Sequence, residues 1–265
     1  MLNISLFRGC LIIMLSAFLH TTTAFGQTVR LSDSQAERIG RRIWQNESEG
    51  SISGLTAWNS GEKFASLGIG HFIWYPARYR GPFEESFPRL LQYFGTQGVS
   101  VPRWLKEATV CPWPTRGAFL ADKEGTRMKE LSSLLAGTVT IQARFLVLRL
   151  ESALPKILAS VPAEKRKYIH RNFYRVAAEP LGMYALVDYV NFKGEGILLS
   201  ERYNGEGWGL LQVLEGMGSG SALREFSDAA ARVLTRRVVN APSSRDEGRW
   251  LPGWKNRVRT YADGL

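Results

Sequence analysis

From Ser32 to Glu47 (SDSQAERIGRRIWQNE), the residues Ala36, Ile39, Gly40, Ile43, Trp44 and Glu47 recur at the i, i+3, i+4 spacing of one helical face. Ser32 with Gln35 three residues on fits a capping box, and Asp33 puts a negative charge in the first turn, where the helix dipole favours it. The pattern predicts a helix over 32–47 whose apolar stripe ends on a carboxylate. From Ser48 to Gly61 the periodicity dissolves into Ser, Gly and Asn around isolated Ile52, Leu55 and Trp58. A strand-like, glycine-interrupted run follows over 64–75 (FASLGIGHFIWY), so a small β lobe is expected at about 53–75.

Six prolines then break up 76–118, leaving room for short helices at 84–94 and 102–108. Apolar residues return at helical spacing over 119–135, 138–160, 162–178, 180–192 and 221–238. The glycine-rich runs at 205–209 and 216–220 read as loop punctuation, too short to separate domains, and no repeat recurs at a period of 20 to 50 residues. The expected fold class is α+β, predominantly α-helical, with one domain over 27–265.

Composition narrows the picture. A chain of 265 residues that is 45 % hydrophobic and 22 % charged has a globular balance, which excludes a disordered, collagen-like or multi-pass membrane protein. Its 34 basic and 24 acidic residues give +10, which calls for a polyanionic partner: nucleic acid, anionic lipid or cell-wall polymer. The N-terminus chooses among them. Arg8, the apolar run 10–19 (CLIIMLSAFL) and the small residues Ala24 and Gly26 have the layout of a secretory signal cut after Gly26. Its removal leaves 33 basic against 24 acidic residues, or +9, in a periplasmic or secreted setting. Wall polysaccharide becomes the expected partner, with no nucleic acid and no stable membrane insertion, since no later window holds some 20 apolar residues in a row. Cys111 is then alone, so no intramolecular disulfide can form. With only His71 and His170 left, neither a zinc site nor an HExxH metalloprotease has support, and no cofactor or metal is expected.

The stretch Glu47-Ser48-Glu49-Gly50 … Trp58-Asn59 … Ser66-Leu67-Gly68-Ile69-Gly70-His71 resembles the catalytic segment of phage-type lysozymes, within the lysozyme-like superfamily. Those enzymes place a catalytic Glu at a helix end, an aromatic residue in a β-hairpin, then Thr-Ile-Gly-x-Gly-His. Pro252-Gly253-Trp254-Lys255-Asn256-Arg257 is similar to the Gly-Leu-x-x-Arg-Arg run that closes many of them. The likeness covers roughly 35 residues plus this tail. It implies a lysozyme-like fold and cleavage of an amino-sugar polymer, most naturally peptidoglycan.

Breaking a glycosidic bond needs an acid whose proton is retained at neutral pH, and burial on an apolar face favours the protonated carboxyl. Glu47 on the Ile39/Ile43/Trp44 face is therefore the expected acid. Glu49 is the fallback, because Glu-Gly is the dipeptide seen in phage lysozymes. The resemblance puts Ser60 where the family has Asp, so the second carboxylate is empty or moved, with Glu62 the nearest substitute. A lone Glu fits lytic transglycosylation, in which one group serves as acid and then base, so hydrolysis and transglycosylation both stay open. By the same likeness Ser66 would help place a water. Trp58, Asn59 and His71 are expected at the substrate, joined by Asn191, Glu195, Tyr203, Glu206, Trp208 and Gln212, because aromatic faces stack on sugars and amides read hydroxyls. Glu195 or Glu206 is expected to face Glu47. The absent Asp also keeps a non-catalytic saccharide-binding scaffold in view.

Overall fold

A computed structural model describes residues 31–81 and 83–263; the expected signal segment, 1–26, lies outside them. The chain opens with α1 (Asp33–Ser48), and Ser32 and Gln35 form the anticipated reciprocal cap. Strands β1 (Thr56–Ala57), β2 (Ala65–Leu67) and β3 (Phe72–Trp74) make an antiparallel sheet in sequence order, with Thr56 opposite Leu67 and Ser66 opposite Ile73. The glycines of the strand-like run are its turn. Gly68 adopts φ 70°, and a Cβ there would stand 2.3 Å from Gln142 Oε1, so only glycine fits.

Short helices α2 (Phe87–Thr96), α3 (Arg103–Glu107) and α4 (Arg116–Ala121) follow, then α5 (Thr126–Gly137). The single helix expected over 119–135 is thus two. Trp113 Nε1 donates to the Asp122 carboxylate at 2.8 Å, and Gly125 enters α5 in an extended conformation, so the break is set by a tertiary bond. The long α6 (Val139–Ala159) runs under the β lobe: Gln142 accepts from Ile69 N–H at 2.9 Å and donates to Leu135 O at 2.7 Å, tying turn to helix. Gly40 lets α1 lie close on α6, since a Cβ would meet Val139 Cγ1 at 2.9 Å.

α7 (Ala163–Ala177) and α8 (Gly182–Lys193) complete the central layer. The glycine-rich run 205–209 supplies the turn and second strand of a hairpin, β4 (Arg202–Tyr203) with β5 (Glu206–Gly207), and a short α9 (Leu210–Glu215) follows it. α10 (Ala222–Asn240) packs along α11 (Leu251–Asp263), where Ser227 Oγ donates to Val258 O at 2.9 Å in the interior. Of the described residues 64 % are helical, with sheets of two and three strands, which makes the fold α+β and predominantly helical. One core runs continuously from Ile39 and Ile43 through Leu67, Phe72 and Leu150 to Tyr189, Phe226 and Tyr261. Among the described residues no single helix is long and apolar enough to cross a membrane.

Candidate active site

α1 ends because Glu49 turns left-handed (φ 55°), with its N–H returned to Gln45 O at 3.0 Å. This leaves Glu47 in the last helical turn, its side chain 14 % exposed, and points Glu49 into solvent. The neighbouring Asn46 docks that turn onto α8 by donating to Tyr184 Oη (2.8 Å) and Asp188 Oδ1 (3.1 Å).

Three groups meet the Glu47 carboxylate. Arg257 Nη2, from α11, lies 2.6 Å from Oε1; His71 Nδ1, from the β2–β3 turn, lies 3.5 Å from Oε2; Asn191 Nδ2, from α8, lies 3.5 Å from Oε1. The surroundings are therefore not the apolar face expected: Ile39 and Ile43 turn into the core, while the carboxylate looks across to a guanidinium. His71 itself has φ 47°, and its Nε2 is buried without a hydrogen-bond partner among the described residues.

Arg257 is held from behind. Its Nε and Nη2 bind the two oxygens of Asp188 at 2.9 and 2.8 Å, and Asp188 also accepts from Tyr261 Oη at 2.6 Å. Asp188 is fully buried and has its lone pairs filled, which fits an anchor and not a nucleophile. Burial works against the charge of Arg257, but Asp188 and Glu47 outweigh it and hold its pKa well above the ordinary value. Tyr261 is also raised well above its usual range, first by burial and then by the Asp188 charge.

Beyond Arg257 the site continues as alternating cations and rings. The Arg257 guanidinium lies 4.1 Å from the Phe192 centroid; Lys193 Nζ is 3.9 Å from Phe192 and 3.4 Å from Trp254; Arg237 is 5.0 Å from Trp254 and 4.1 Å from Trp208. The row ends at buried Glu247, bound by Arg237 at 2.7 and 2.8 Å and by Tyr203 Oη at 3.0 Å. Burial pushes the Glu247 carboxyl up, but Arg237 more than compensates and brings it below its ordinary value.

Several expected substrate residues are occupied elsewhere. Trp58 is buried edge-on against Phe119, with its Nε1 given to Glu62 O, so it is a core ring. Glu62 accepts from Asn59 at 3.1 Å; both belong to the turn after β1, and neither makes a hydrogen bond to Glu47 among the described residues. Ser66 is buried in β2 and makes no hydrogen bond to Glu47 among the described residues. Glu195 is paired with Lys156 (3.0 Å) and Glu206 with Arg236 (3.1 Å). Tyr203 and Trp208 pack tilted against each other (centroids 4.5 Å apart, 49° between planes), and Arg237 lies over the buried Trp208 ring at 4.1 Å. Gln212 donates to Gly196 O and accepts from Gly209 N–H, pinning two glycine loops together.

Of the expected set, the structure brings together Glu47, His71 and Asn191, and it adds Arg257, Asp188, Lys193 and Tyr261. Asp188 carried a signal: it is the one acid in the otherwise apolar 182–190 stretch. Two surface cavities, of 440 Å³ beside Arg232, Arg236 and Lys255 and of 410 Å³ beside Lys123 and Lys129, lie away from Glu47. No group of His, Cys, Asp and Glu suited to a metal ion occurs among the described residues. Compared with models of known families, with curated proteins and with solved structures, the chain finds no match.

Proposed function

We propose that this protein is a lysozyme-like, extracytoplasmic enzyme that cleaves the glycan of peptidoglycan, with Glu47 as its proton donor. One observation carries the reading. The three segments on which the likeness to phage lysozymes rests, the end of the first helix, the Gly-x-Gly-His turn and the C-terminal Gly-x-x-x-Arg run, are far apart in sequence, yet Glu47, His71 and Arg257 meet on a single carboxylate. In this role Glu47 protonates the glycosidic oxygen, Arg257 fixes the carboxylate's orientation, and the net positive chain attracts the acidic wall polymer.

A second reading concerns the other half of the reaction. Among the described residues Glu62 is bound to Asn59 within its turn and Asp188 is saturated by Arg257, Tyr261 and Asn46, so neither supplies a free second carboxylate to Glu47. One carboxyl serving as acid and then base suits lytic transglycosylation, in which the sugar's own hydroxyl closes an anhydro ring. Incubation of the purified protein and its Glu47→Gln variant with peptidoglycan, followed by mass analysis of the released sugars, tests both. Anhydro ends mark transglycosylation, reducing ends mark hydrolysis, and the variant is expected to release neither. Binding without release by the wild type would establish a saccharide-binding scaffold instead, and full activity in the variant would move the acid away from Glu47.

A further inference from the structure

At the break between α4 and α5 the chain brings Lys123 against the β lobe. Its Nζ donates to the carbonyl oxygen of Thr56 in β1 and to Thr56 Oγ1 at 3.0 Å, and it lies 5.1 Å from the Phe119 centroid. An ammonium carries three N–H donors, so one is left over. Lys123 forms no ion pair among the described residues, because the neighbouring Glu124 goes to Lys129 at 3.4 Å. Partly buried without a counter-charge, the amine is pulled below its ordinary value by desolvation.

Lys123 borders the 410 Å³ cavity between the turn Ser53–Leu55, β1 and α5. Most of the other polar groups around it are donors in waiting. The hydroxyls of Ser53, Ser132 and Ser133 make no hydrogen bond among the described residues, while Ile52, Met128 and Ala136 supply an apolar side. Lys123, Lys129 and the exposed Glu124 are its charged lining, so the balance is positive. The 440 Å³ cavity on α10 is also basic, but two of its three cations are committed: Arg232 to Gly216 O at 2.8 Å and Arg236 to Glu206 at 3.1 Å. Uncommitted donors set the Lys123 cavity apart.

We propose that the Lys123 cavity is a second binding site, separate from Glu47, that takes a phosphate or carboxylate group carried on a larger body. Thr56 holds two of the three ammonium protons and so fixes the point at which the third meets the anion. The serine hydroxyls donate to the remaining anion oxygens, and Ile52 and Met128 pack the carbon portion. Neither Glu47 nor its partners His71, Asn191 and Arg257 line the cavity, so this site does not depend on the cleavage of peptidoglycan.

Amide spectra of ¹⁵N-labelled protein, recorded while chloride is exchanged for inorganic phosphate or for D-lactate at constant ionic strength, test this. The Thr56, Lys123, Ser132 and Ser133 signals are expected to shift together and to saturate. Saturation by phosphate points to a phosphate ester as the occupant, and saturation by lactate to a sugar-borne carboxylate. Lys123→Met and the double variant Ser132→Ala/Ser133→Ala are each expected to weaken binding about tenfold or more, the cost of losing a hydrogen bond to a charged group. Alanine suits the interior of α5, so the double variant keeps the fold and decides the question should Lys123→Met, which strips Thr56 of its donor, fail to fold. Shifts that stay linear with either anion, or unchanged affinity in the double variant, overturn the proposal.

Discussion

Arg257 Nη2 lies 2.6 Å from Glu47 Oε1, a contact made across 210 residues of sequence. The same nitrogen lies 2.8 Å from Asp188 Oδ1, so the residue that orients Glu47 is itself immobilised by a buried anion. Rigid backing of this sort keeps a reacting group in a single geometry.

Asp188→Ala removes the anion and leaves Arg257 partly uncompensated in the interior. A loss of about 3–5 kcal/mol of unfolding free energy is expected, the usual result of breaking a buried pair from one side. Urea denaturation measures it, and a change below about 1 kcal/mol would show that Arg257 is not anchored there.

Glu62→Gln keeps the shape of the turn after β1, and Asn59 can still donate to the side-chain oxygen. Cleavage of peptidoglycan should stay within about twofold of wild type, because loss of a true acid or base costs about 10²–10⁴ in rate. A hundredfold loss would return Glu62 to the role of second carboxylate.

Gly68→Ala forces a side chain into a positive φ and against Gln142 Oε1, which is already committed to Ile69 N–H. Backbone strain of about 1–3 kcal/mol is expected. The His71 ring is carried by the same turn, so activity should drop more than the change in thermal midpoint explains. Parallel melting curves and rate measurements separate the two effects.

Lys193 makes stability depend on pH. Its folded pKa of about 6 lies below the 10.5 of the unfolded chain, so between these values the unfolded state binds the extra proton and stability from this group rises with pH. The slope reaches about 1.4 kcal/mol per pH unit at most. Comparing denaturation of wild type and Lys193→Met at pH 6 and pH 9 isolates it: the wild type should gain relative to the variant as pH rises, and equal slopes would refute the assignment.

Cys111 is buried at 2 % exposure, and burial pushes its thiol up to about 12. The thiolate is the reactive species, so at pH 8 a disulfide reagent should label the native protein at least about a hundredfold more slowly than the urea-unfolded chain. Rapid native labelling would contradict the buried placement and reopen pairing between chains.

What was legible in the chain was local. The Ser32–Gln35 cap, the apolar stripe of α1 and the glycine turn between β2 and β3 are written within a few residues of one another, where hydrogen bonding and steric limits act without help from the rest of the molecule. The break at Asp122 was not legible, because its cause is the indole N–H of Trp113 arriving from outside the helix. Trp58 and Trp208, both buried, show the converse case. An aromatic residue serves a core and a sugar groove by the same chemistry, and only packing tells which face is covered.

The sequence by itself determined a predominantly helical α+β chain with a small sheet near its start, and it singled out Glu47 and His71, since periodicity, caps and turn glycines are short-range properties. Tertiary structure alone decided that Arg257 faces Glu47, that Asp188 and Tyr261 lock Arg257, and that Lys193 is buried between the Phe192 and Trp254 rings. A charge in a sequence has no environment until distant segments enclose it, and its chemistry follows from that enclosure.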